Sequence, residues 1–345
     1  MAARKLRVAV IGCGAIAQRR HLPEYASRKD VEIIAVVDIK RNRAKEIAAQ
    51  YKVPKFFTDY RKALALKPDL VSVCTPNALH AKHTIDALKA KAHVLCEKPM
   101  AGSMKEARAM VAAAKARRRQ LMIGHNQRYS AGHVRGKQLF KSGMLGKCYG
   151  FRTTFSHSGP ESWSVDGLDC FFFKKKLSIM GSMGDLGVHK TDFIRWFLDD
   201  EIVEASAMMD RLDKKNCTVE DTAFAIFRMA SGAIGQMHAG WIYKAGCDNS
   251  TEFYCQNGIL RLEADPNFPV IVELSNGEKY FIKTKAIQTN EAGGQHSSGV
   301  IDAFVNAIQA GKPVPVPGED ALHTMAAVTA CMESARTGKA VRVRV

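Results

Sequence analysis

Four groups of residues have the types and spacing to do chemistry. The first is Gly12-Cys13-Gly14-Ala15-Ile16-Ala17, a Gly-x-Gly-x-x-Ala turn. Gly12 permits a tight turn, Gly14 lets main-chain N–H groups approach a pyrophosphate without Cβ interference, and Ala17 is small enough for close helix-to-strand contact. The second is Asp38, an acid placed to accept hydrogen bonds from adenosine ribose hydroxyls. It disfavours a 2′-phosphate, so NAD is the expected cofactor; neighbouring Lys40, Arg41 and Arg43 could neutralise that phosphate, so NADP stays open. The third is the pair Thr75-Pro76-Asn77 and Glu97-Lys98-Pro99. A lysine beside a nicotinamide can donate to a carbonyl or hydroxyl oxygen and exchange a proton with it; on an isolated loop it would be a solvated charge. The fourth is Asp185, His189 and Asp192, which fall on one face if the segment is helical. Such a face could carry an acid–base pair, or only an acidic helix start and a packed histidine. Asp-x-x-x-His also has metal-ligand spacing, but no third or fourth ligand accompanies it, so no metal is expected.

The elements that must position these groups alternate in the first part of the chain. Apolar runs at Leu6 to Ile11, Val31 to Val37, Leu70 to Cys74, His93 to Cys96 and Leu121 to Gly124 read as strands. Helical segments separate them, toward Arg28, from about Arg41 to Tyr51, and from Ser103 to the basic cluster Arg117-Arg118-Arg119, whose cations complement a helix C-terminus. Strands separated by helices indicate βαβ units and a parallel sheet. The expectation is a doubly wound Rossmann domain over residues 1–125. Ligands of such sheets lie beyond the carboxyl ends of the strands, where the Gly12 turn, Asp38, Asn77 and Lys98 all fall.

From residue 126 to 345 the pattern changes. Helical character at Ala131 to Ser142 and Asp185 to Leu198 is followed by strand-like runs from Ile202 to Lys283, joined by turn signals such as Ser231-Gly232, Asn257-Gly258 and Asn276-Gly277. This predicts an α+β domain on a large, mainly antiparallel sheet. Two helices, about Gly299 to Ala310 and Asp320 to Thr337, close the chain, linked through Pro313, Pro315 and Pro317. They could pack back on the first domain.

Composition narrows the classes. A chain of 345 residues exceeds what one core usually organises, so two domains are expected. With 46% hydrophobic residues and no long uncharged apolar run, a soluble protein with no membrane partner is predicted. Nine cysteines without a Cys-x-x-Cys pair read as reduced thiols in the cytoplasm. The net charge of +17 would allow nucleic-acid binding, but the basic residues are dispersed and no nucleic-acid-binding motif is present, so none is expected.

Taken in order, Gly12-x-Gly14, Asp38, Thr75-Pro76-Asn77 with His80, Glu97-Lys98-Pro99, Gly124 to Tyr129 and Asp185-x-Gly187-x-His189-x-x-Asp192 resemble the glucose-fructose oxidoreductase, inositol dehydrogenase and MocA family. Gly311-Lys312-Pro313 and the segment Glu333 to Lys339 extend the likeness over nearly the whole chain. The resemblance implies a homodimer or homotetramer built on the large sheet, and a cis Lys98–Pro99 bond. It implies that Gly12, Gly14, Ala15, Ile16, Asp38, Arg43, Thr75, Pro76, Asn77, His80, Glu97 and Lys98 hold the cofactor. Lys98, Asp185 and His189 then handle a hydroxyl of a sugar or cyclitol substrate. Arg128 matches a frequently basic position and could contact substrate or serve as an ion-pair partner. Ser182-Met183-Gly184 departs from a glycine-richer pattern, and the run Phe171 to Lys176 has no counterpart. A lysine triplet facing the cleft would favour a phosphorylated or acidic sugar.

The activity implied is reversible hydride transfer between nicotinamide and a secondary hydroxyl, with His189 as general base, Lys98 as electrostatic partner and Asp185 as orienter. The roles of Lys98 and His189 could be exchanged. An NAD-dependent glycosidase on the same scaffold, and a non-catalytic dinucleotide-binding regulator, are the alternatives; the regulator would not need the proton-transfer trio.

Overall fold

The computed structural model describes residues 4–284 and 297–345. Its first sheet is built from β1 (Leu6–Ile11), β2 (Val31–Val37), β3 (Phe56–Phe57), β4 (Leu70–Val73), β5 (His93–Cys96) and β6 (Leu121–Ile123), in the order β3-β2-β1-β4-β5-β6. All pairs in it are parallel. Continuous apolar runs suit strands covered on both faces, and Val8, Ala9, Val10 and Ile11 are all buried. The crossovers include helices Arg41–Gln50, His80–Lys89 and Met104–Arg117. Ser103 starts the last of these by accepting the Glu106 N–H at 3.3 Å, while the Glu106 carboxylate accepts the Gly102 N–H at 3.1 Å. This is the doubly wound order, whose ligand crevice lies at the carboxyl ends of the strands.

The second sheet has nine strands: β7 (Cys148–Ser156), β8 (Ile202–Asp210), β9 (Thr222–Met229), β10 (Ile234–Gly240), β11 (Thr251–Cys255), β12 (Gly258–Leu262), β13 (Val270–Leu274), β14 (Lys279–Ile282) and β15 (Val341–Arg342). Their order is β14-β13-β12-β11-β7-β10-β9-β8-β15. Neighbours are antiparallel except β7 and β10, which run parallel with Ile234 opposite Gly150. One face is covered by helices Val188–Leu198 and Gly318–Thr337: the Phe197 and Phe253 rings stack at 4.3 Å, and Ala207 N–H donates to Ser334 Oγ at 2.9 Å.

Two local features differ from the sequence reading. The segment expected as one helix from Asp185 begins as a π-helical turn, Met183–Gly187, before the α-helix Val188–Leu198. The stretch between β7 and that turn holds three short 3-10 turns and a helix Lys175–Ser178 that includes part of the lysine triplet.

The C-terminal part returns to the first sheet. Helix Val300–Gln309 shares a core with Val8, Val10, Leu22 and Leu70, and Arg28 pairs with Asp302 at 2.5 Å. Ile123 N–H donates to Val316 O at 3.0 Å, so the proline-rich link runs beside β6. This return carries Ser298, Val300 and Ile301 to the site.

Candidate active site

The turn after β1 is sterically specified. Gly12 has φ +96°, and a Cβ on it would stand 2.4 Å from the Cys74 carbonyl oxygen, so β1 and β4 approach too closely for any side chain. A Cβ on Gly14 would meet nothing within 4 Å, because this residue faces open space. Cys13 N–H donates to Asp38 Oδ2 at 3.0 Å and Lys40 N–H to Oδ1 at 2.8 Å. Asp38 therefore fastens the turn to the end of β2, and each oxygen keeps a lone pair for a ribose hydroxyl.

The loops after β4 and β5 are knitted together. His80 lies 2.8 Å from both the Thr75 and the Pro99 carbonyl oxygens, so one ring spans the two strand ends. Asn77 Nδ2 donates to Ser178 O at 2.9 Å, and Thr75 Oγ1 lies 3.2 Å from His83 Nδ1. Glu97 Oε1 lies 2.8 Å from His21 Nε2, and His21 Nδ1 is 3.0 Å from Ser72 Oγ. Burial raises the Glu97 pKa, but the His21 contact and the Lys98 and Arg20 charges together outweigh it and leave the carboxyl below its ordinary range. The Lys98–Pro99 bond is cis.

Lys98 Nζ donates to Asp185 Oδ1 at 2.9 Å and to the Asp185 carbonyl at 2.7 Å. The other carboxylate oxygen accepts the indole N–H of buried Trp241 at 3.1 Å. Asp185 thus holds the lysine rather than the histidine. His189, one helical turn on, is 8% exposed. Burial, then the Lys98 and His125 charges, hold its pKa well below the ordinary histidine value, so the ring is neutral. The turn carrying Asp185 is braced by Glu220, whose carboxylate accepts the Gly181 and Met183 N–H groups at 2.7 and 3.2 Å. Burial pushes the Glu220 pKa up to about 7.

One cavity unites these groups. Gly14, Ala15, Ile16, Thr75, Asn77, His80, Glu97, Lys98, Asp185 and His189 all line it. Lys40 and Arg43 line an adjoining groove, with Val165 bordering both. Gly12, Pro76 and Asp38 are not among the residues that line the cavity. Among the described residues, Arg20 Nη2, Asn126 Oδ1, Trp163 Nε1 and His189 Nδ1 are buried polar atoms without a hydrogen-bond partner, and all four residues face this cavity. Buried polar atoms left unpaired are costly, and ligand groups would satisfy them. The open space at Gly14 and these unpaired polar atoms suit the polar groups of a dinucleotide.

Arg128 is placed elsewhere. Its Nε and Nη2 donate to Asp192 at 2.8 and 2.6 Å, and Nη2 also to Asp320 at 2.5 Å, beneath the site and outside the cavity lining. Of the two roles the sequence left open, the geometry is that of the ion pair. Asp192 turns to this cluster, away from Asp185 and His189. Lys174, Lys175 and Lys176 are exposed and do not line the cavity, so the condition for favouring a phosphorylated sugar is not met.

Sequence reasoning missed several lining residues. Arg20 had no spacing signal, Asn126 lay within the Gly124 to Tyr129 motif without an assigned role, and Ser298, Val300 and Ile301 come from the far end of the chain. His21 and Trp163 also line the cavity, whereas His125 and His157 do not.

A doubly wound sheet with an open Gly-x-Gly turn, and a lysine and a neutral histidine in the same cavity, defines a nicotinamide-dependent oxidoreductase. Residues 6–125 match the oxidoreductase family described as having an NAD-binding Rossmann fold, and residues 133–261 match the GFO/IDH/MocA C-terminal domain. The chain belongs to the GFO/IDH/MocA oxidoreductase family. It is similar to D-glucoside 3-dehydrogenase of Escherichia coli, 29% identical over 99% of both chains. It is also similar to inositol 2-dehydrogenase 3 of Saccharopolyspora erythraea, 30% identical over 74% of this chain and 73% of that one. Among solved structures, GenD2 from gentamicin A biosynthesis in complex with NAD superposes with a TM-score of 0.85 at 26% identity, covering 100% of this chain and 98% of that one.

Proposed function

We propose that this chain oxidises a secondary hydroxyl of a sugar, sugar derivative or cyclitol to the ketone, reversibly, with NAD as cofactor. The observation that carries this reading is Lys98, held by Asp185 in the cavity that neutral His189 and the open Gly14 turn share. The aromatic rings of Trp163, Phe171 and Phe172 line the same cavity and suit the apolar face of a sugar ring. The names of the glucoside and inositol dehydrogenases to which the chain is similar support the substrate class.

NAD, when bound, supplies the carbon that accepts hydride. The chain's own residues handle the proton. As hydride leaves the carbinol carbon, the hydroxyl must lose its proton, or the developing carbonyl oxygen would carry positive charge. The neutral His189 ring, which lines the cavity, accepts it; Lys98 donates a hydrogen bond to the same oxygen and stabilises its partial negative charge. Asp185 keeps the ammonium aimed through two contacts, and Trp241 fixes the carboxylate. Incubating the protein with NAD and a panel of aldoses, glucosides and inositols tests this. A ketone lighter than its substrate by two hydrogens is expected, and recovery of every substrate unchanged would contradict the reading.

The outward face of the second sheet supports assembly into a homodimer or homotetramer. Tyr149, Met208, Phe224, Ile226, Ile234 and Tyr254 are exposed on it, and apolar faces of this kind are usually covered. Sedimentation of wild type and Phe224→Lys tests this: a dimer or tetramer that the lysine dissociates is expected, and a wild-type monomer would contradict it. No helix among the described residues is long and apolar enough to cross a membrane.

A further inference from the structure

The basic residues after Asp38 are ambiguous by themselves. An acid at the end of the second strand favours the two free hydroxyls of NAD, whereas an arginine nearby accommodates the 2′-phosphate of NADP. This chain has both: Arg43 Nη1 lies 3.7 Å from Asp38 Oδ2, and Lys40 is two residues from Asp38.

The structure supplies a third participant from the other side of the cleft. Asp166 Oδ1 lies 2.5 Å from Lys40 Nζ and 2.5 Å from Arg43 Nη2. One carboxylate oxygen thus binds both cations that a 2′-phosphate would need. Asp166 belongs to the segment between β7 and the π-helical turn, and its neighbour Val165 borders both the main cavity and the groove of Lys40 and Arg43. Side-chain exposure is 24% for Asp166 and 17% for Arg43, so solvent screens this pair less than a surface pair. Burial raises the Asp166 pKa, but hydrogen bonds from Arg43 and Lys40 outweigh it and leave the carboxyl below its ordinary range. The group is an anion at neutral pH.

Other contacts also anchor the segment. Lys214 pairs with Glu161 and with the Ser158 carbonyl, Ser164 N–H donates to Pro160 O at 2.8 Å, and the Trp163 and Phe172 rings meet at 5.1 Å. Asp166 therefore reaches the basic pair from a loop with its own support.

We propose that Asp166 is a cofactor-specificity residue that excludes NADP by occupying Lys40 and Arg43 and by repelling a 2′-phosphate. The inference rests on reading Asp38 as the ribose end of the cofactor site. It assigns discrimination to two carboxylates, one from each side of the cleft, with the repulsive element as important as the attractive one.

The test is direct binding of NAD⁺ and NADP⁺, by calorimetry, to wild type, Asp166→Asn, Asp166→Glu and the double variant Asp166→Asn with Arg43→Met. Asp166→Asn should raise NADP⁺ affinity about tenfold and move NAD⁺ affinity by less than about threefold. Asp166→Glu should keep the wild-type preference, and the double variant should lose most of the NADP⁺ gain. An unchanged ratio in Asp166→Asn, or parallel shifts for both nucleotides, would overturn the proposal. If Asp166→Asn does not fold, Asp166→Ser and adenosine 2′,5′-bisphosphate binding replace it, with the same two outcomes. Wild type that binds neither nucleotide would instead overturn the site reading beneath the proposal.

Discussion

The Lys98 ammonium donates to both the carboxylate and the main-chain carbonyl of Asp185, 87 residues further along the chain, at 2.9 and 2.7 Å. This clamp joins the loop after β5 to the π-helical turn ahead of His189, at the cavity both segments line. Removing the charge while keeping the shape, as in Asp185→Asn, should lower kcat on the order of 10²-fold while NADH affinity changes less than about threefold. Steady-state kinetics beside NADH titration checks this. Equal losses in turnover and cofactor binding would show that Asp185 only maintains the fold.

Gly12 and Gly14 should behave oppositely. Alanine at Gly12 meets the Cys74 carbonyl and an unfavourable φ, so Gly12→Ala should lose on the order of 2–4 kcal/mol in urea unfolding. Gly14→Ala has room in the protein and should leave the unfolding free energy within about 0.5 kcal/mol. Its added methyl should nevertheless weaken NAD binding about tenfold or more, because it stands where main chain must meet pyrophosphate. Normal NAD affinity in Gly14→Ala would remove this turn from the cofactor site.

Arg128 should matter for stability. Burial raises the Asp192 pKa, yet His125 and Arg128 outweigh it and keep this 1%-exposed carboxyl below its ordinary range. Arg128→Ala leaves that carboxylate without its bidentate partner and should cost about 3–5 kcal/mol. Chemical unfolding at neutral pH measures it. Unchanged stability with a raised KM for substrate would return Arg128 to the binding site.

Buried neutral histidines set the acid limit. Burial lowers the pKa of His83 and His93 to about 4 and of His133 to about 3, and holds His189 well below its usual value. Unfolded histidines titrate near ~6.5, so between that value and the folded ones the unfolded chain binds protons that the folded chain refuses. The associated stability is complete above about pH 6.5 and falls as pH drops toward ~4, by up to about 1.4 kcal/mol per pH unit for each histidine. Urea midpoints at about pH 7.5 and about pH 5 compare the two regimes. A constant midpoint with constant m would contradict it.

What could be read from the sequence depended on distance along the chain. Gly12, Gly14, Asp38, Asn77 and Lys98 each follow a strand directly, so apolar run and motif together located them. The Asp185 and His189 helix was legible from spacing, although the start at Met183–Gly187 is π-helical and so departs from the expected α-helical turn. The parallel pairing of β7 with β10 was not legible, because turn signals report hairpins and say nothing of which older strand a hairpin lies beside. Trp241 against Asp185 and Asp166 against Arg43 escaped for the same reason: each joins residues 56 and 123 positions apart, one of them in an irregular segment without periodicity.

The most direct test follows nicotinamide absorbance for wild type and Lys98→Ala with NAD⁺ and NADP⁺, across inositols, aldoses, glucosides, sugar phosphates and uronic acids. The account predicts NAD⁺ reduction by at least one unphosphorylated polyol or sugar, lowered on the order of 10²-fold or more in Lys98→Ala while NADH still binds that variant. Wild-type rates in Lys98→Ala, or no reduction with any substrate by a wild type that binds NADH, would contradict it.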